Sequence, residues 1–312
     1  MHTALLAVAL LVGCLLAVQA SANLQLNSAV GTPYGASTLQ LGVATTLLAA
    51  LALAAGTLGA LGRLPDVPPW QLLGGLASPL YITSGILLFP RLGALASVGL
   101  FVTGQMFASL ALDLFGLLGL ERQPLGAGTV LGAAAVLAGI VVIIRGGRGA
   151  APAGAAGLSA AARTGWLALG IVAGGVLPVQ GAVNAQLRER LDAPLTVAVI
   201  SFAVATFTIA VVLLVLRATR RTPAPRVAPL KKMPWWGWLG GACAAAYVTG
   251  TFLLIPAIGA AVTIALTVTG QQLTSALIDH KGLFRLPGRP LTRPRALGLA
   301  LLLAGSLTIQ LA

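Results

Sequence analysis

The chain has 312 residues, of which 58% are hydrophobic and only 8% are charged, and its mean hydropathy is +0.97. A soluble domain carries about 25% charged residues, so this composition excludes an ordinary soluble protein and indicates one that lives in a lipid bilayer. The net charge is +13, but the basic residues lie in short segments between apolar spans, without aromatic interleaving, so nucleic-acid binding is not expected.

Apolar spans of about 18–22 residues recur along the chain, as crossing a hydrocarbon core of about 30 Å requires. They predict an all-α integral membrane protein with ten transmembrane helices, five in each half. Residues 1–145 form the first five-helix unit, residues 146–164 a Gly/Ala-rich linker, and residues 165–312 the second unit. The predicted helices are 4–24, 37–57, 70–89, 93–113, 127–145, 165–186, 195–216, 235–255, 259–279 and 295–311.

The first span also resembles a signal peptide or a lipoprotein acylation box, with Cys14 in an apolar run and a small-residue site near Ala22. It has no basic residue before the apolar run, which argues against both. Its Gln19-x3-Asn23-x-Gln25 pattern recurs as Gln180-x3-Asn184-x-Gln186. We therefore expect the segment to be the first transmembrane helix.

A second duplication is more extensive. Residues 90–116 align without a gap with residues 256–282, and 11 of 27 positions are identical. The identities include the polar series Thr-Gly-Gln, Ser, Asp and Gly, which apolar composition alone would not align. This is an internal repeat.

Five helices per repeat is an odd number, so the second unit must insert upside down relative to the first. Loop charges support this topology: four Lys and Arg residues fall on the side of the N-terminus and fifteen on the other side. The positive-inside rule then predicts that both termini are extracytoplasmic.

The duplicated segment carries a thin polar stripe at helical spacing. The stripe comprises Gln105, Ser109 and Asp113 in the first copy and Gln271, Ser275 and Asp279 in the second, with Thr103 and Thr269 nearby. A stripe of this kind faces a partner helix or a wet cavity rather than lipid. Each mid-span glutamine either bonds neighbouring helices together or contacts a substrate.

Further candidates come in pairs that the duplication relates. Gln19, Asn23, Gln180 and Asn184 either line the same cavity or cap the inner end of the first helix of each half. Tyr81 and Tyr247 either donate phenol groups into the cavity or pack. We interpret Asp113 and Asp279 as solvated helix-end acids, with gating or coupling as the alternative hypothesis.

No metal-ligand cluster, Ser-His-Asp set or phosphate-binding loop is present in the sequence, so no catalytic residue, metal or cofactor is expected. No acidic residue lies at mid-span either. Small multidrug-type exporters use a mid-membrane Glu for exchange of protons and organic cations, and a neutral or zwitterionic solute suits amide-lined walls better.

The repeated pattern resembles the YdcZ-like family of bacterial membrane proteins, a branch of the drug/metabolite transporter superfamily. The similarity is carried by the Gln-x3-Asn-x-Gln helix, Pro234–Gly241, Tyr247 to Gly259, and Thr269 to Gly282, with a looser match in the first half. The resemblance implies a ten-helix transporter of antiparallel halves in a bacterial inner membrane, and no particular substrate.

The expected function is secondary transport of a small polar or amphipathic metabolite by alternating access, in the direction of export. The partners are that small-molecule substrate and the bilayer, and a monomer suffices because both halves are fused. One alternative is a non-transporting binding or scaffold protein. Another is a lipid-headgroup translocator, which a lateral opening between helices 3/4 and 8/9 would support.

Overall fold

The computed structural model of the chain describes residues 2–119, 122, 126–147 and 159–311. All regular secondary structure in those ranges is helical. The α-helices are α1 (His2–Val30), α2 (Pro33–Ala54), α3 (Ala77–Leu92), α4 (Ala94–Phe115), α5 (Ala127–Gly146), α6 (Ala160–Leu191), α7 (Pro194–Ala218), α8 (Leu239–Ile258), α9 (Ala260–Lys281) and α10 (Arg293–Leu311). Short 3-10 segments precede α3 (Pro69–Leu76) and α8 (Trp235–Trp238).

Eight of these helical segments are long and apolar enough to cross a membrane, within the described ranges. They correspond to α1 through α8, with the 3-10 turns joined to α3 and α8. The segments α9 and α10 are not among them, although the sequence predicted ten spans. Helix α9 carries Gln271 and Gln272 side by side and ends in charged residues. It packs against α1 and α4, so its polar residues can face protein while Leu273 and Leu277 on another face stay exposed.

Two predicted boundaries were wrong. Helix α1 continues to Val30. The reason is that neighbouring helices bury the second half of α1, including its polar residue Asn23. Helix α6 begins at Ala160, inside the segment expected to be a linker, with Ser159 accepting a hydrogen bond from the Ala162 amide as the N-cap. The linker residues 148–158 lie outside the described part of the chain.

The packing of the two halves is reciprocal. Helix α1 packs against α8 and α9, and its repeat counterpart α6 packs against α3 and α4. Helices α2 and α7 pack together, as do α5 and α10. The extensive contacts therefore run between the halves.

Close helix crossings depend on duplicated glycines. A Cβ atom on Gly104 of α4 would overlap the carbonyl oxygen of Ile171 on α6. A Cβ on Gly270 of α9 would in the same way overlap the carbonyl oxygen of Leu10 on α1. The missing side chains let the backbones touch at two equivalent crossings.

Candidate functional site

The polar stripe of α9 is buried at the contact between the halves. Gln271 is 2% exposed, and its Nε2 donates to the Tyr81 hydroxyl of α3 at 3.2 Å. Tyr81 in turn stacks at a tilt on Phe101, with ring centroids 4.8 Å apart. The Ser275 hydroxyl donates to the backbone carbonyl of Gln271. The stripe of the second half thus meets residues of the first half.

The counterpart stripe of α4 is in a different environment. Gln105, Ser109 and Asp113 are all half-buried. Neither the Gln105 amide nor the Asp113 carboxylate has a hydrogen-bond partner among the described residues. Tyr247, the counterpart of Tyr81, makes no hydrogen bond to Gln105 within the described ranges. The two stripes match in sequence but not in their contacts.

The interpretation of Asp279 as a solvated acid was wrong. Its side chain is 2% exposed and lies over the N-terminus of α4. Oδ1 accepts from the Ala94 amide at 2.7 Å, and Oδ2 accepts from the Leu95 amide at 3.2 Å. Oδ2 also pairs with Arg295 at 2.6 Å. A carboxylate at a helix N-terminus satisfies free amides and complements the helix dipole.

Two arginines lie beside Asp279, and nothing in the sequence singles them out among the arginines that follow α9. Arg295 is 4% exposed and also donates to the carbonyls of Arg289 and Pro290. Arg289 donates to the Pro90 carbonyl at 3.3 Å. Burial lowers the pKa of the Arg289 guanidinium, while the neighbouring Asp279 carboxylate opposes that shift. We call Asp279, Arg289 and Arg295 together with the α4 N-terminus the Asp279 lock.

The backbone of the lock requires glycine at residue 93. Gly93 has φ 90° and precedes α4, a conformation that other residues rarely adopt. A Cβ there would lie 2.8 Å from Asp279 Oδ2 and would also overlap the Arg289 guanidinium. Its repeat counterpart Gly259 has φ 85° and open space around it. The turn at Gly93 therefore packs against Asp279 and Arg289, whereas the equivalent turn at Gly259 has open space beside it.

The two threonine hydroxyls of the predicted site donate to carbonyls of their own helices. Thr103 donates to the Gly99 carbonyl and Thr269 to the Ala265 carbonyl, each at 2.8 Å. The hydroxyl groups of both threonines are thus hydrogen-bonded within α4 and α9, as is common for threonine in apolar helices.

The paired amides of α1 and α6 also differ. Gln180 and Asn184 hydrogen-bond the hydroxyls of Ser78 and Ser201 on neighbouring helices. Gln19 and Asn23 are buried, and their side-chain oxygens have no partner among the described residues.

Three buried amides were missed by the sequence reasoning: Gln40, Gln71 and Gln272. Gln40 on α2 is 1% exposed, and both side-chain polar atoms of the fully buried Gln272 lack a partner in the described ranges. A single glutamine inside an otherwise apolar span was the only signal for Gln40. Within those ranges no group of three His, Cys, Asp or Glu residues is placed to hold a metal ion.

Comparisons with known proteins identify the family. The profile of the family described as "Putative inner membrane exporter, YdcZ" matches residues 4–142 and, separately, residues 165–308. None of the curated proteins matches the chain. A solved crystal structure of a protein with 22% sequence identity is similar to it with a TM-score of 0.57, covering 97% of this chain and 96% of the other. That likeness concerns the fold alone. Two successive matches cover most of the sequence, so the chain is a multi-pass membrane protein that belongs to the YdcZ family of inner-membrane exporters, with two family units fused in tandem.

Proposed function

We propose that this chain is a secondary transporter that exports a small polar or amphipathic metabolite by alternating access between two inverted five-helix repeats. One observation carries the proposal. The halves have reciprocal helix packing, yet the polar contacts at their interface are formed on one side and missing at the equivalent positions. Two equivalent arrangements of one scaffold are what alternating access requires.

The ends of the molecule exchange roles in this mechanism. Asp279 at the C-terminal end of α9 caps the start of α4. By the repeat, Asp113 at the end of α4 is the residue that caps the start of α9 once the opposite end closes. Asp113 is half-buried and free of described partners in the present state. The present state is therefore closed at the end marked by Asp279 and unsealed at the end marked by Asp113.

A second pair of contacts at mid-membrane follows the same rule. The Gln271–Tyr81 hydrogen bond joins α9 to α3 in the present state. In the opposite state the equivalent bond joins Gln105 to Tyr247, and Gln271 is released. Each glutamine thus alternates between holding helices together and facing the substrate path.

Charge distribution orients the molecule. Arg285, Arg289 and Arg295 follow Asp279 in the sequence, and Arg91 shortly precedes the α4 N-terminus that Asp279 caps. The positive-inside rule makes this end cytoplasmic and leaves both termini extracytoplasmic, in the inner membrane of a bacterium. The present state is then closed to the cytoplasm. Because both repeats are on one chain, a monomer contains the complete transport path.

Solute flux in reconstituted vesicles tests this function. Proteoliposomes loaded with a mixture of small polar metabolites should release at least one of them faster than protein-free liposomes, with mass spectrometry of the outside solution as the readout. A binding or scaffold protein would leave every efflux rate unchanged. A lipid-headgroup translocator would instead move a fluorescent phospholipid between leaflets without releasing solutes. Either of these results would contradict the proposal.

A further inference from the structure

An open recess lined by arginines lies at the C-terminal end of α7. Its volume is about 370 Å³, and its walls are formed by Arg217, Arg220, Arg221, Thr222, Pro223 and Ala224. All three arginines are exposed. None of their guanidinium groups has a hydrogen bond or an ion pair among the described residues. We call this feature the arginine recess.

The backbone gives the arginine recess a fixed shape. The Arg221 amide donates to the Leu216 carbonyl at 2.8 Å and so closes the end of α7. The hydroxyls of Thr222 and Thr32 share a hydrogen bond of 2.9 Å, which fastens the segment to the turn between α1 and α2. Arg220 has φ 57°, the left-handed conformation in which a helix end usually has glycine. Backbone preference therefore does not explain an arginine at this position.

The positive charges of the arginine recess are not compensated by acidic residues of the described ranges. Four of these acids lie at the opposite end of the molecule, where α7 begins: Asp66, Asp113, Glu189 and Asp192. Helix α7 has 25 residues and is therefore about 37 Å long. Asp279 lies at the same end as the recess but pairs with Arg295. The C-terminus of α7 contributes about half a negative charge, which offsets only part of three guanidiniums.

An exposed apolar face of α7 leads to the arginine recess. Phe207, Val211 and Leu214 are exposed, and their spacing of four and three residues places them on one face of the helix. Arg217 continues this series three residues later. From Phe207 to Arg217 the helix rises about 15 Å, which is half of a hydrocarbon core of about 30 Å. Trp235, which precedes α8 at the same end, is also exposed, as is typical of tryptophan at the boundary between membrane and water.

We propose that the arginine recess binds the phosphate group of an anionic phospholipid, whose acyl chains lie against Phe207, Val211 and Leu214. Arginine forms paired, charge-assisted hydrogen bonds with phosphate oxygens. Three guanidiniums favour a headgroup that has no cation of its own, so phosphatidylglycerol fits the recess better than the zwitterionic phosphatidylcholine. A free phosphate ester offers the same anion but gains nothing from the apolar face, so the lipid should bind more tightly. This inference does not depend on the proposed transport function.

The test variant removes the three charges of the recess and keeps the backbone. It combines Arg217→Gln, Arg220→Asn and Arg221→Gln, with asparagine at residue 220 because asparagine tolerates the left-handed conformation. The matched control removes three exposed cations at the same end but outside the recess: Lys231→Gln, Lys232→Gln and Arg293→Gln. Both variants lose the same charge. Both should melt within about 2 °C of the wild type without lipid, because substitutions of exposed residues change stability little.

Binding is measured on the purified full chain in micelles of a neutral detergent. Phosphatidylglycerol is the probe, with phosphatidylcholine and glycerol 3-phosphate as comparisons, and native mass spectrometry counts the bound molecules during a titration. Because the micelle carries no charge, only cations that contact the lipid affect its binding. The affinity for phosphatidylglycerol should be weaker by about tenfold or more in the arginine variant and unchanged in the control. The single variant Arg217→Gln, which leaves the segment after α7 intact, should weaken the binding by about threefold or more.

Four results would overturn the proposal. The first is that phosphatidylglycerol does not bind, or binds to the arginine variant as it does to the wild type. The second is an equal loss in the control, which would show that net charge alone attracts the lipid. The third is equal binding of phosphatidylcholine, which would remove the role of the uncompensated charge. The fourth is equal binding of glycerol 3-phosphate, which would show a site for soluble phosphate compounds and not for a lipid.

Discussion

Removal of the Asp279 charge is the perturbation with the largest expected effect. Asp279→Asn keeps the shape of the side chain but leaves Arg295 buried without its carboxylate at 2.6 Å. Breaking a buried ion pair from one side costs about 3–5 kcal/mol. Arg295 retains two carbonyl acceptors, so we expect the lower end of that range, about 3 kcal/mol. This corresponds to a decrease of about 10²-fold in the population of the closed end.

The matched control is Asp113→Asn, the same change at the repeat counterpart. Asp113 is half-buried and has no described partner, so its substitution should change stability by about 0.5 kcal/mol or less. In a thermal-unfolding assay in detergent, Asp279→Asn should lower the melting temperature by about 6 °C or more and Asp113→Asn by about 1–2 °C. Equal shifts in the two variants would refute the assignment of the lock to Asp279.

A double variant separates the ion pair from general damage. Asp279→Asn with Arg295→Met removes both charges, so no unpaired guanidinium remains in the protein interior. The double variant should melt at a higher temperature than Asp279→Asn alone, because burying an apolar side chain is cheaper than burying a lone charge. A double variant less stable than Asp279→Asn would show that Arg295 stabilises the fold independently of Asp279.

Two further predictions follow from contacts within the helices. Gly104→Ala and Gly270→Ala should each lower the melting temperature strongly, because both new methyl groups would overlap a carbonyl oxygen of a crossing helix. In Gly181→Ala of α6 the added methyl has no atom within 4 Å, so the change should be neutral or stabilising by up to about 1 kcal/mol. The packing would be contradicted if Gly181→Ala lowered the melting temperature, or if Gly104→Ala and Gly270→Ala left it unchanged. Gln272→Met, which copies the counterpart Met106, should stabilise the protein by about 1–3 kcal/mol in the same assay, since Gln272 has two unsatisfied buried polar atoms among the described residues. A loss of stability in Gln272→Met would show instead that the amide has a partner.

The sequence predicted the helical class and the duplication correctly, because each depends on local pattern. Apolar spans must be helices in lipid, where backbone groups need internal hydrogen bonds. The four-residue spacing of Gln271, Ser275 and Asp279 indicates that they share one face of a helix. The repeat also located the glycines at which helices cross.

The sequence could not predict that equivalent residues would have unequal surroundings. Asp113 and Asp279 occupy the same place in an 11-of-27 identical alignment, which suggests equal environments. Their difference depends on residues outside the duplicated segment. Arg295 corresponds to Thr129 in the repeat. The segment that leads from α9 to Arg295 is rich in basic residues, which is typical of a solvated loop. The fold returns that segment over α4, a long-range event that no local pattern encodes.

The same reason applies to the amides of α1. Gln19 and Gln180 have matching sequence neighbours, and the difference lies in Ala244 and Ser78 on other helices. Only the packing brings these positions together. The sequence therefore located the candidate amides, whereas their hydrogen-bond partners decide which of them are available to a ligand.

The central claim is that the two ends of the transporter exchange, and spin-label distances test it most directly. One label pair spans the end with the lock, at Arg91→Cys and Leu283→Cys. The equivalent pair spans the other end, at Ala257→Cys and Leu117→Cys. Both native cysteines are replaced by alanine in this background. Double electron–electron resonance then reports each distance in the protein with and without the Asp279→Asn substitution.

The account predicts opposite changes at the two ends. When the lock is intact, the 91–283 distance should be the shorter of the two. After Asp279→Asn, the 91–283 distance should lengthen while the 257–117 distance shortens. The reason is that, in alternating access, opening of the end with the lock is accompanied by closing of the opposite end. Distances that stay fixed at both ends, or that lengthen at both ends together, would contradict alternating access in this protein.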